Sequence, residues 1–487
     1  IFPKEEMLSF FLTSFLLGAA AVTGDYSPEA LADEVKNLPG GEDLVLNFRQ
    51  FSGYLPVTAT KNLHYWFVES QNNPSTDPIA FWTNGGPGCS GLLGFMTEQG
   101  PLRPNKDMKL QLNPYSWNTV ANMVFIEAPC GVGFSYSSDE SGDDYKTGDD
   151  QTAQDNYALI QQFFNRFSDY RKNDLYISSE SYGGHYMPTL AKQIVDRNSA
   201  GNDPILNFKG FAVGNPATTF YSAIPAGLDT YWGHQLISKP LWDRYQTDCI
   251  ATKNFTVCED LFLAMYAEVG NLNPYALDYP VCLESSPRRA GRAQRTWFLN
   301  HQLESLRHEF SGVHDEGINN IRKSIVGLEP VDGYEPCEED YMTTYLNLPE
   351  VKAALHVKSD ITWKDCSMTI RYDQKDGAKS MTHYYNYLID KKFGLNILVF
   401  SGDDDDVCAT IGTQSWIWDL GYIVSGRRWQ QWKTSDGQTA GYLTKWRNTK
   451  LAFATVHGAG HEVPAYKPQA ALELFTAYLK GELTDAQ

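Results

Sequence analysis

The stretch YISSESYGGHYMP, residues 176–188, carries a short apolar run into a pair of glycines and then into residues that favour a helix. A chain passing from strand to helix in so few residues turns sharply, and the residues flanking the turn must be small. Ser178 and Ser179 belong to the strand or its last residue, so Ser181, with Gly183 two positions on, is the serine at the apex. The strand–turn–helix pattern G-x-S-x-G that exposes a nucleophile has a glycine on both sides. Here Ser179 takes the first place, so the pattern is half complete, and a serine-rich turn without chemistry is the plain alternative. His185 is near in sequence, but a helix leaving the turn carries it away from the Ser181 hydroxyl.

Outward from this turn, nearly continuous apolar runs bounded by Gly, Pro, Asn or Asp predict buried strands at 63–70, 78–84, 122–129, 175–178, 208–215, 396–402 and 451–456. Apolar residues at three- and four-residue spacing predict helices over 149–167, 187–198 and 467–481. Strand and helix in alternation predict an α/β fold, a mostly parallel central sheet flanked by helices. From about 220 to 345 the strand signals fade and four cysteines appear, which predicts an inserted, mainly helical cap between core segments 25–219 and 346–487. The basic run SPRRAGRAQR, 286–295, reads as an exposed loop, with proteolytic nicking a secondary reading.

Forty Lys and Arg against 59 Asp and Glu give 487 residues a formal net charge of −19, which argues against nucleic acid as a partner. Residues 7–24 read as a secretory signal peptide, too short in their apolar part to span a bilayer comfortably. The reading is therefore entry to the secretory pathway, secreted or lysosomal/vacuolar, with no stable membrane insertion. Eight cysteines without a CxxC pair fit disulfides better than a zinc site, and Asn254-Phe-Thr256 is a glycosylation sequon.

An open parallel sheet works at the carboxyl ends of its strands. Three predicted ends carry reactive groups: Ser181, the acidic run Asp403–Asp406, and His457 with His461. Ser, Asp, His is the chain order of the α/β-hydrolase triad. His461 is the stronger base. Gly458, Gly460 and Pro464 oppose a helix that would give His457 and His461 a shared face, so a zinc pair is not expected and no metal is assigned. Periodicity does not choose among the four aspartates.

The motifs FWTNGGPGCSGLLGFMTEQGPLRP (81–104), NPYSWNTVANMVFIEAPCGVGFSYS (113–137), SESYGGHYMPTLA (179–191), GDDDDVCA (402–409) and GAGHEVPAYKP (458–468) closely resemble the serine carboxypeptidases. The resemblance runs in order over about 40–480 and is weakest at 250–345. It implies an α/β-hydrolase fold with an inserted cap, a triad of Ser181, Asp405 and His461, and an oxyanion hole from the Gly86 and Tyr182 amides. It implies that Asn84, Gly85, Glu98 and Glu180 hold the terminal carboxylate of a peptide. Two facing glutamates cannot both stay charged at short range, so such a pair keeps a proton, and activity is expected to be strongest in acid.

By the same resemblance Glu462 lines the pocket for the leaving residue and favours Lys and Arg beside apolar residues. Cys408 corresponds to a free thiol; the implied disulfides are Cys89–Cys366, Cys249–Cys258 and Cys282–Cys337, leaving Cys130 free. The expected activity is release of C-terminal residues from peptides and proteins, with no cofactor; a homodimer is left open. The alternatives are an acyltransferase or a non-catalytic protective protein on the same fold.

Overall fold

The computed structural model describes residues 26–219, 224–252, 255–270, 272–282 and 334–483. The segment 7–24 read as a signal peptide, Asn254 and the basic run 286–295 lie outside the described residues. Ten strands build the main sheet: β1 (Gln50–Pro56), β2 (Lys61–Val68), β3 (Ile79–Thr83), β4 (Asn122–Ile126), β5 (Leu175–Glu180), β6 (Phe208–Gly214), β7 (Asn396–Gly402), β8 (Val424–Lys433), β9 (Thr439–Trp446) and β10 (Leu451–Val456). Their spatial order is β1-β2-β4-β3-β5-β6-β7-β10-β9-β8, with Tyr136–Ser137 added beside β2. The helices used below are α1 (Asp149–Arg166), α2 (Gly183–Ala200), α3 (Ile224–Gly233), α4 (Phe255–Val269), α5 (Glu338–Leu346) and α6 (Pro468–Leu479).

The six central strands, β4 to β10 in space, pair in parallel, and both flanks are antiparallel. The central runs were legible because every residue of β3, β4, β5 and β10 is buried. On the flanks β2 was legible as the run 63–70, whereas β1, β8 and β9 were not. Residues of β8 are mostly exposed and include Arg427, Arg428 and two glutamines, so β8 lacks the continuous apolar signature of a strand covered on both faces.

Helix α1 lays Tyr157, Ile160, Phe163 and Phe164 on the sheet, where Phe163 meets Phe67 and Phe81 edge to face at 5.2 Å each. On the other face Phe475 of α6 stacks on Trp117 at 3.9 Å. Helix α2 begins at Gly183, four residues before its predicted start. A Cβ at Gly183 would sit 2.1 Å from Ser179 Oγ, so this glycine is required by the close approach of helix to strand rather than by a longer turn.

Between β6 and β7 the described residues add no strand to the main sheet. Part of this insertion has its own apolar cluster, with Leu228, Tyr231, Leu241, Tyr245, Leu261 and Met265 buried together beside the Cys249–Cys258 bridge. No helix among the described residues is long and apolar enough to cross a membrane.

Candidate active site

The strand order brings four side chains to one edge. β5, β6, β7 and β10 are consecutive neighbours, and past their carboxyl ends stand Ser181, Asn215, Asp405 and His461 respectively.

Ser181 has φ +59°, a backbone state that costs a non-glycine residue about 1–3 kcal/mol and persists only where its surroundings impose it. The imposition is visible. Its N–H donates to Gly214 O at 3.0 Å, and its carbonyl accepts from Gly184 and Ala217 at 2.9 Å each. The loop 84–86 lies against this elbow because residue 85 has no side chain: a Cβ there would stand 2.4 Å from Tyr182 N and 2.8 Å from Ser181 Cβ. The Gly86 and Tyr182 amides have no acceptor among the described residues, and Tyr182 caps the N-terminus of α2. This is a donor-rich, electropositive pocket suited to a developing oxyanion.

Asp405 is 1% exposed and His461 2%. His461 Nδ1 meets Asp405 Oδ2 at 2.7 Å, which leaves Nε2 as the nitrogen not engaged by the aspartate. Asp405 is itself fixed: it accepts from Val407 N at 2.8 Å, Cys408 N at 3.0 Å and Asn215 Nδ2 at 2.8 Å. Burial opposes a charge on His461, yet Asp405, by charge and hydrogen bond, with Glu462 and Glu98 behind it, pulls the imidazole up to about 9.

The other aspartates of the run are spoken for differently. Asp403 binds His457 Nδ1 at 2.8 Å and Gly458 N at 2.6 Å. Asp406 packs against Gly227 of α3. Burial, with Asp278, Asp403 and Asp405 nearby, pushes Asp404 up to about 7.

His185, on α2, bonds Asp149 at 2.9 Å and stacks on Tyr182 at 4.5 Å, turned to the helix layer. The Cys408 thiol lies near Ser181 and Asp405. Burial and the charge of Asp405 push that thiol well above its ordinary range, so it stays protonated and does not compete as a thiolate. Both free cysteines, Cys130 and Cys408, are buried, and the three disulfides are Cys89–Cys366, Cys249–Cys258 and Cys282–Cys337, the pairing the resemblance implies.

Beside the serine lies a buried carboxyl pocket. Asn84 Oδ1 accepts from Trp82 Nε1 at 2.8 Å and Gly94 N at 3.1 Å. With its oxygen so engaged, its Nδ2 faces Glu98 at 2.9 Å and Glu180 at 2.7 Å. Burial raises both carboxyls: Glu98 to about 7, and Glu180 well above the usual range, where the charge of Glu98 adds to the effect. Two carboxyls facing one amide nitrogen cannot both ionise cheaply, so the pair retains a proton. Burial likewise pushes Glu462 up to about 8 against the pull of His461. Glu338 on α5, near Arg103 at 3.8 Å, is raised by burial to about 7.

Asn215 had no place in the sequence reading, although the polar end of FAVGN, after an apolar run, was the available signal. It spans two partners, donating to Asp405 and accepting from Gly402 N at 2.8 Å. Asn215→Ala is expected to lower kcat about 10- to 100-fold with little change in KM, because a small misplacement of the acid misaligns the imidazole; steady-state kinetics checks this. The segment 273–279 was also missed. Pro274 O accepts from Asp406 N at 3.0 Å, Tyr275 O from His461 N at 2.7 Å, and Asp404 O from Leu277 N at 3.0 Å. No local pattern announces such main-chain seams.

The family model described as serine carboxypeptidase matches residues 39–481. Serine carboxypeptidase 24 of Arabidopsis thaliana is 37% identical over 492 residues, covering 97% of each chain. Serine carboxypeptidase-like 25 of the same plant is 35% identical, covering 93% of this chain and 92% of that one. Among solved structures, the prohormone-processing carboxypeptidase Kex1Δp of Saccharomyces cerevisiae superposes with a TM-score of 0.71 at 21% identity, over 93% of this chain and 96% of that one. That last likeness speaks for the fold. With the α/β-hydrolase sheet, its elbow serine and a family match over nearly the whole chain, the protein belongs to the serine carboxypeptidase family.

Proposed function

We propose that the protein is a serine carboxypeptidase that releases C-terminal residues from peptides and proteins. The observation that carries this reading is Asn84 held between Glu98 and Glu180, a buried proton-bearing pocket one residue from the nucleophile. An esterase has no use for it. In this reading His461 Nε2 takes the Ser181 proton as Oγ attacks the last peptide carbonyl, and the Gly86 and Tyr182 amides receive the oxyanion. His461 returns the proton to the leaving nitrogen, and the C-terminal amino acid departs. The acyl-enzyme is then cleaved by water activated through the same histidine. Asn84, Gly85, Glu98 and Glu180 hold the substrate's carboxylate, with residues 220–345 as a cap above, and Glu462 draws Lys or Arg as well as apolar leaving residues.

Activity strongest in acid follows from the same groups. Below about 7 the glutamates carry protons, which preserves the pocket's donor for a substrate carboxylate. Three disulfides support folding in an oxidising compartment of the secretory pathway.

An N-blocked dipeptide with a free carboxylate is compared with its C-terminal amide. The free acid is expected to be cleaved at least about 100-fold faster, the cost of leaving a buried polar pocket unpaired. Equal rates on both would overturn the reading. Transfer to alcohol acceptors from activated esters, without release from the dipeptide, would favour the acyltransferase.

A further inference from the structure

His234, Asp278 and Asp404 meet where the insertion touches the loop of the triad acid. His234 follows α3, Asp278 lies in the 273–279 segment, and Asp404 precedes Asp405. One imidazole nitrogen and one oxygen from each carboxylate lie within 4.8 Å of one another. Asp404 is 2% exposed. Its Oδ2 accepts from Asp278 N at 3.0 Å, but its Oδ1 has no hydrogen-bond partner. His234 Nδ1 stands 3.9 Å from that oxygen, beyond hydrogen-bond reach.

A buried carboxylate oxygen without a donor is costly, and neighbouring aspartates make it more so. Asp403 is committed to His457 and Gly458, and Asp405 to His461, so Asp404 is the member of the three with an oxygen to give. We propose that His234, Asp278 and Asp404 form a divalent-cation site that fastens the insertion to the loop carrying the triad acid. Two atoms each ~2.1 Å from one ion stand at most about 4.2 Å apart, so a closure of about 0.6 Å completes the set. His234 and Asp278 are open enough to make that adjustment by side-chain rotation.

One imidazole with two carboxylates suits Zn²⁺ or Mn²⁺ better than Ca²⁺, which gathers about six to eight oxygens. The ion takes no part in the reaction. Its effect is to hold Leu277 and Pro274 against Asp404 and Asp406. The sequence reading assigned no metal, because these residues come from distant stretches without a ligand spacing.

Untagged full-length protein is stripped with EDTA, dialysed, and titrated with ZnCl₂ and with MnCl₂. Bound ion is counted by elemental analysis and stability is followed by thermal melting. The expected result is one ion per chain and a Tm higher by several degrees. His234→Ala and Asp278→Asn are each expected to bind at least tenfold more weakly and to lose the Tm rise. Their metal-free Tm and hydrolysis of a blocked dipeptide stay as in the wild type, and His457→Ala keeps the rise. Failure to retain either ion at micromolar concentration overturns the site. So does an undiminished stoichiometry and Tm rise in both variants, which would place the ion elsewhere.

Discussion

Ser181→Ala is expected to lower kcat on a blocked dipeptide by about 10⁵- to 10⁶-fold, with KM little changed. The size of the effect comes from the way the elbow, the acid and the base act as a unit. Asp405 fixes His461 through Nδ1 at 2.7 Å, and in the proposed mechanism that arrangement serves to move a proton at Nε2. Without the hydroxyl, the imidazole has nothing to activate in the first step. What survives is substrate binding and the two backbone amides, together worth about 10³- to 10⁴-fold over water. Alanine keeps the same φ as serine at position 181, so the fold is not relieved or newly strained, and Tm is expected to stay close to that of the wild type. Loss of labelling by a fluorophosphonate, measured beside kcat, ties the effect to Ser181. Full activity in the variant would end the mechanism.

The second large effect concerns pH. On a free-acid substrate, kcat/KM is expected to fall steeply as pH rises through about 7, where Glu98 loses its proton and the pocket begins to repel a carboxylate. On an ester lacking that carboxylate, activity is expected instead to keep rising toward about 9, where His461 becomes neutral. A Glu98→Gln, Glu180→Gln double variant replaces a shared proton with permanent amide donors, so its fall near 7 should vanish. Asn84→Ala is expected to cost about 100-fold in kcat/KM on the free acid, and far less on the ester, since it strips the donor facing both carboxyls. Parallel profiles for acid and ester across pH 5 to 9 would refute the assignment.

Stability follows the same titration. Glu98 is raised from its ordinary value to about 7 by burial, so its contribution is complete below about 4.5 and is lost as pH rises through 7. The loss is on the order of 3 kcal/mol for this group. Melting curves should therefore show a Tm that declines from pH 5 to 8, and declines less in the double glutamine variant.

How much of this was legible in the sequence depended on the range of the interaction. The central strands were readable because burial on both faces leaves an uninterrupted apolar run, as in NILVFSG and LAFATV. Ser181 and His461 were readable because they end such runs. Asp405 was not separable from its three neighbours by pattern, since the choice is made by backbone geometry: Val407 N and Cys408 N fold back onto it, while Asp403 turns to His457. The flanking strand β8 hid behind arginines and glutamines that face water. Asn215 and the 273–279 segment were invisible for a third reason: their partners lie far along the chain, and carbonyl groups leave no mark in the residue code.

The 273–279 segment also bears on how this protein can be rebuilt. Because Pro274, Tyr275 and Leu277 supply main-chain partners to Asp406, His461 and Asp404, the insertion is not a detachable module. A trimmed core lacking it would leave three polar main-chain groups beside the triad without protein partners. A cap exchanged between relatives has to bring this seam with it, in register. Cut points for such a chimaera therefore lie at the ends of the whole insertion, never within or immediately beside residues 273–279.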